Sequence, residues 1–183
     1  MSSPDTNAIV LSAPIEAASL PSIHPVLAFY AKYDVAMQDP ANNSASAWYS
    51  RDANLKLPMM ATFRGRDQVW SYYTRLFSPP QTIELEIIYS VTLVSSPADG
   101  KHRLTMEYVR GLRNRDGIMV TRVPQVWAYD IGVADQGEGE GTDGYQIHGV
   151  RCYYDMCLMN RAVRPRDDDA DEPGEVIIES TEV

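Results

Sequence analysis

The stretch Ile147-His148-Gly149-Val150-Arg151-Cys152-Tyr153-Tyr154-Asp155 decides the fold. An apolar start gives way to alternation, then to two aromatics and an acid. That is the period-two pattern of a half-buried strand. We place this strand at Tyr145–Met159, after a loop rich in glycine and acid. Its even positions, His148, Val150, Cys152, Tyr154 and Met156, form the face assigned to the interior.

Three more long strands precede it. Thr82–Ser95 alternates with Leu85, Ile87, Tyr89, Val91 and Leu93 on one side. His102–Arg113 does the same with Leu104, Met106, Tyr108, Arg110 and Leu112. Ile118–Ile131 places Gln125 and Trp127 inward, and Pro124 predicts an edge position or a bulge there. Asp116-Gly117 is a hairpin signal. Ahead of the strands the spacing predicts helices over Ser22–Gln38, Asn42–Tyr49 and Arg66–Phe77, with a short strand at Leu55–Pro58. Ser22 is the expected cap of the first, with Pro25 in its first turn. Helices followed by an antiparallel meander make an α+β layer, with helices against one face of a bent sheet. Residues 1–21 read as a mobile arm, 22–163 as the domain, Gly132–Gly144 as a flexible loop and 164–183 as a flexible acidic tail.

At 183 residues the chain has room for one core. Its net charge of −9 is local in origin: Arg164–Val183 holds eight acids and two arginines, and Gly132–Gly144 four acids and no base. The body lacks a basic patch that tracks phosphates, which argues against a nucleic-acid partner. No run of about 18 apolar residues is long enough to span a membrane. No Lys or Arg precedes Lys32, so the start lacks the charge of a signal peptide. Cys152 and Cys157 lie on opposite faces of one predicted strand and cannot bridge each other. Free thiols predict a reducing, cytoplasmic setting. There is no metal-ligand spacing, no phosphate loop and no serine elbow, so we expect neither metal nor cofactor.

The order helix, helix, short strand, helix, four long strands resembles that of the SnoaL-like group of the NTF2-like superfamily. Gly65-Arg66-Asp67, opening the third helix, is similar to the Gly-Arg-Asp of SnoaL-like and limonene-epoxide-hydrolase-like members. The resemblance covers about residues 22–160. It implies a cystatin-like cone in which three N-terminal helices pack on a strongly curved, mainly antiparallel sheet around a pocket. It also implies pairing as a homodimer. The fold hosts isomerases, dehydratases, cyclases, hydrolases and binders, so function must be read from the site.

Asp34 is the first candidate, because it interrupts the apolar stripe Ile23, Leu27, Tyr30, Met37. A carboxyl group on such a face can serve as a general acid or base. Tyr33-Asp34 resembles a Tyr-Asp pair on the first helix of scytalone dehydratase. Arg110 faces inward by strand parity and needs a partner, for which Asp34 is the obvious choice. His148 is a candidate proton shuttle. Tyr30, Tyr33, Met60, Trp70, Tyr73, Ile87, Tyr108, Gln125, Trp127, Cys152 and Tyr154 are expected to line the pocket around a hydrophobic substrate. The acids of the limonene-epoxide-hydrolase pattern are missing, with Arg110 and Cys152 at the corresponding positions. The two histidines of the scytalone dehydratase pattern are also missing. These departures lead to an expected cyclase or isomerase of polyketide- or terpenoid-like intermediates, working by acid–base chemistry without a cofactor. The alternatives are epoxide opening and a non-catalytic binder.

Overall fold

The computed structural model describes residues 7–58, 62–76, 82–113, 118–155 and 157–158. Its centre is the predicted meander: β4 (Thr82–Ser96), β5 (Lys101–Arg113), β6 (Met119–Val133) and β7 (Tyr145–Tyr154). Three strands extend the sheet: β1 (Asn7–Ile15), β2 (Tyr49–Lys56) and β3 (Thr62–Arg64). The order is β1-β4-β5-β6-β7-β2-β3. All neighbours run antiparallel except β2 and β7, so the sheet is mixed. Helices α1 (Pro25–Ala36), α2 (Ala45–Trp48) and α3 (Arg66–Leu76) carry side chains into the same core as the strands. None of the described helices is long and apolar enough to cross a membrane.

The alternation explains which faces are buried. On β5, Leu104, Met106, Tyr108, Arg110 and Leu112 are all buried. On β6, Val123, Gln125, Trp127, Tyr129 and Ile131 are buried. Pro124 is tolerated because pairing with β7 begins only at Gln125, so β6 has a free edge beside the proline.

Several expectations are corrected. The segment read as a mobile arm holds β1, whose Asn7–Ser12 pairs in unbroken register with β4. Its Ile9 and Leu11 pack against the core, a two-residue alternation too short to stand out among its Ser, Ala and Pro neighbours. Helix α1 begins at Pro25, and its cap is His24, not Ser22: the Nδ1 of His24 accepts from the Val26 N–H. The second helix is a single turn capped by Ser44, because Tyr49 already enters β2. The last strand ends at Tyr154, where Asp155 turns the chain by accepting from the N–H groups of Cys157 and Leu158. The Asp116-Gly117 signal and the acidic tail lie outside the described residues.

The acidic loop after β6 is tied down at both ends and in the middle. Arg51 N–H donates to Asp135, Gly141 N–H to Ser46 O, and Thr142 Oγ1 to Ala47 O. Lys32 forms a 2.7 Å ion pair with Asp143. The hub is Glu140, whose side chain is only 7% exposed and receives Arg66 at 2.6 Å. Gln146, fully buried, donates to both Ser46 O and Glu140 and accepts from the Asp135 N–H. Acids and glycines here form a strap joining α1, α2, α3 and β2, which corrects the flexible-loop reading.

The Arg66 hydrogen bond, with help from Gln146, holds the Glu140 carboxyl below the usual carboxylate range. A depressed folded value means the stabilisation is complete above the unfolded value, about pH 4.3, and is lost as pH falls through the folded one. Glu140→Gln should therefore melt below the parent at pH 7. The gap should close as the solution is acidified below that range. Thermal melts of both proteins from pH 7 to pH 3 check this.

Candidate functional site

The interior site is built from one helix and two central strands. Asp34 sits in the last turn of α1 and Arg110 toward the end of β5. Arg110 Nη2 donates to Asp34 Oδ1 at 2.5 Å, and the two side chains are 8% and 13% exposed. The guanidinium also lies over the Tyr108 ring, 5.0 Å from its centroid. Burial works against its charge, but Tyr108 and Asp34 outweigh that and hold its pKa well above the ordinary value.

Tyrosines surround this pair. Tyr30 meets Tyr129 edge-on at 5.2 Å. Tyr33 shares a 2.5 Å hydroxyl–hydroxyl hydrogen bond with Tyr49. Tyr73 stacks on Tyr49, and Trp127 stacks on Tyr129 while facing Tyr73. Trp127 Nε1 donates to Gln125 Oε1 at 2.7 Å, so that amide is oriented by its neighbour on the same strand face. Trp70 touches Tyr49, and Tyr154 shares a hydroxyl hydrogen bond with Tyr72 at 3.2 Å. Burial raises the pKa of Tyr30, Tyr33, Tyr49, Tyr73, Tyr108 and Tyr129, so each remains a protonated donor near neutral pH.

Three buried polar atoms beside the ion pair lack a hydrogen-bond partner among the described residues: Tyr30 Oη, Tyr108 Oη and Arg110 Nη1. Buried donors are normally satisfied, and exceptions mark strain or a missing partner. Trp48 Nε1 and Ser50 Oγ are in the same condition elsewhere, but these three converge on one ion pair. Chemically the set offers two hydroxyl donors, a fixed cation with one N–H group to spare, and one carboxylate in apolar surroundings. Such a set suits an oxygen on which negative charge develops.

Asp34, Arg110, Tyr30, Tyr33, Tyr73, Tyr108, Gln125 and Trp127 thus come together through direct or shared contacts. Cys152 is buried with its Sγ 3.9 Å from Lys56 O, and burial pushes its thiol up to about 12. Two candidates fall elsewhere. His148 sits at an irregularity: Asp130 pairs with Gly149 and Ile131 with Ile147, leaving His148 between them. That extra residue buries Ile147 and Val150 and turns His148 toward Val133 O, 3.1 Å from its Nε2. There it lines a groove of about 840 Å³ with Lys101, His102 and Val133. Ile87 is 45% exposed, because shifts between Leu85 and Ile87 and between Ile88 and Ser90 put Ile88 inside in its place. Met60 lies outside the described residues. Tyr49 and Tyr129 are site members that the sequence reading missed. Tyr129 shares the parity of Gln125 and Trp127, which was the available signal. Among the described residues, no group of three or more His, Cys, Asp or Glu is placed to hold a metal ion.

No family model and no curated protein gives a significant match to the sequence. Solved structures do match the fold. A putative calcium/calmodulin-dependent protein kinase II association domain from Xanthomonas campestris is 16% identical, covers 78% of this chain and 96% of its own, and has a TM-score of 0.52. ActVI-ORFA from Streptomyces coelicolor is 14% identical, with 71% and 94% coverage and a TM-score of 0.50. A nuclear transport factor 2 (NTF2-like) superfamily protein from Salmonella enterica is 13% identical, with 75% and 91% coverage and a TM-score of 0.48.

Two outcomes are expected from this geometry. Asp34→Ala leaves a buried guanidinium without its counter-ion and should cost about 3–5 kcal/mol, read by denaturant unfolding. Iodoacetamide at pH 8 should modify exposed Cys157 and spare buried Cys152 in the folded protein, as peptide mass mapping would show.

Proposed function

We propose that the interior site is catalytic and cyclises or isomerises a hydrophobic, enolisable carbonyl compound, polyketide- or terpenoid-like, without a cofactor. One observation carries the reading: Tyr30 Oη, Tyr108 Oη and Arg110 Nη1 stand buried and unpaired beside the Asp34–Arg110 ion pair. Donors without a well-formed partner are costly to bury, and a substrate oxygen placed beside the ion pair would satisfy them.

The reading assigns each group a role. The Asp34 carboxylate removes a proton from carbon next to the substrate carbonyl. The electron pair of that C–H bond moves to the carbonyl oxygen, and the idle donors stabilise the enolate. Asp34 then returns the proton to a different carbon, which gives an isomer. In the cyclising variant the enolate carbon attacks a second carbonyl of the same molecule, and the new alkoxide takes the proton. Arg110 holds the Asp34 carboxylate in position. The aromatic walls, Tyr73, Trp127 and Tyr129 among them, hold the flexible substrate in one reactive conformer, which itself lowers the barrier.

Asp34→Asn and Tyr108→Phe separate the roles. With an enolisable di- or triketone as probe, Asp34→Asn should bind it yet lose turnover by about 10²–10⁴-fold, the usual worth of a positioned base. Tyr108→Phe should lower kcat and leave KM nearly unchanged, as loss of an enolate donor predicts. Parental kcat in both variants would overturn the acid–base reading.

A further inference from the structure

On the outer face of the sheet, one corner gathers cations without counter-ions. Lys56 ends β2, Arg64 ends β3 and Arg151 lies in β7. Register places Lys56 beside Arg151 on one side and Thr62 on the other, with Arg64 opposite Asn54. All three cations are exposed. None takes part in an ion pair among the described residues, whereas Lys32, Arg103 and Arg122 each hold a carboxylate at 2.7 Å. The corner is concave: Asp52, Asn54, Lys56, Thr62, Arg64 and Gly65 line a depression of about 490 Å³. Asp52 is its one acid, so the lining and neighbouring Arg151 together carry three positive charges against one negative. Asp155, just past the end of β7, is committed to the backbone N–H groups of Cys157 and Leu158.

The missing counter-charge exists in the same chain. Asp167-Asp168-Asp169-Ala170-Asp171-Glu172 holds five acids in six residues. It begins nine residues beyond Leu158, and nine residues can span about 30 Å. Arg151 is three residues before the end of β7, about 10 Å along the strand. Lys56 is one strand farther across, about 4.8 Å. The acidic segment can therefore reach the corner without being fully stretched.

We propose that the segment 167–172 docks on its own chain at the Lys56, Arg64 and Arg151 corner, with its carboxylates entering the depression. Tethering makes the contact intramolecular and raises the effective concentration of the acids. Each exposed pair is weak and screened by salt, so the contact is a reversible, salt-sensitive latch. A partner carrying a similar acidic stretch would have to displace the segment to use this surface.

A nitroxide on the segment tests the contact. The label goes on Ala170→Cys in a Cys157→Ser background; Cys152 is buried and its thiol is unreactive at the labelling pH. Amide relaxation is read in nitrogen-labelled protein at about 0.02 M and 0.5 M salt, where screening lengths differ several-fold. The expected result is enhanced relaxation confined to residues 54–56, 62–64 and 149–151 at low salt. It should disappear at high salt, and also when Asp167→Asn, Asp168→Asn, Asp169→Asn, Asp171→Asn and Glu172→Gln are combined. No localised enhancement, or one that survives neutralisation, overturns the proposal. Equal enhancement in a mixture of spin-labelled and nitrogen-labelled chains would assign the contact to a second copy and overturn the intrachain latch.

Discussion

The fold turns on a guanidinium taken out of water. Arg110 lies on a central strand with its side chain almost fully covered, and a charge in that position must be met by another. Asp34 meets it from α1, and the contact ties α1 to the sheet beside the helix's buried apolar side chains. Tyr30 and Tyr33, one turn away and next door on the helix, are thereby set against Tyr129 of β6. Buried ion pairs of this kind are often no more stabilising than well-packed apolar residues of similar volume. The retained charge, with hydroxyl groups gathered around it, is what distinguishes the interior from an ordinary aromatic core.

The architecture was legible where the periodicity was long and regular. On β5, burial follows the alternation from Arg103 to Tyr108, and parity assigned Tyr108 and Arg110 to the inside correctly, although Val109 and Gly111 between and beyond them are buried as well. Parity failed where a strand carries an extra residue. Two irregularities in β4 exchange Ile87 for Ile88, and one in β7 expels His148. Such bulges shift a whole face by one position, and no side-chain pattern announces them. β1 was hidden for a different reason: it is an edge strand with one half-buried face, and its pairing with β4 comes from a partner some eighty residues away in sequence. Asp34 was visible because a carboxyl group in an apolar stripe is anomalous, but its pairing with Arg110 depended on bringing helix and strand together.

Composition misled most in the loop after β6. Acid and glycine without apolar spacing read as solvated chain. In the structure the same residues satisfy backbone and amide groups that α2 and β2 leave open, with Gln146 as the relay. Gly141 is required there by shape: its φ of +77° suits glycine, and a Cβ would meet Ala134 Cβ at 2.3 Å. Polar content thus serves as mortar between helices and sheet.

The tyrosine cluster also gives the protein an optical property. Each of the three tryptophans contacts a tyrosine ring of this cluster: Trp48 with Tyr33, Trp70 with Tyr49, and Trp127 with Tyr73 and Tyr129. At separations near 6 Å, light absorbed by the tyrosines passes to the indoles before it can be emitted. Emission excited through these tyrosines therefore originates in indoles packed within the same aromatic cluster. Any change in the packing of these rings would therefore alter the balance of tyrosine and tryptophan emission, so the chain carries an unlabelled fluorescent gauge of its own interior.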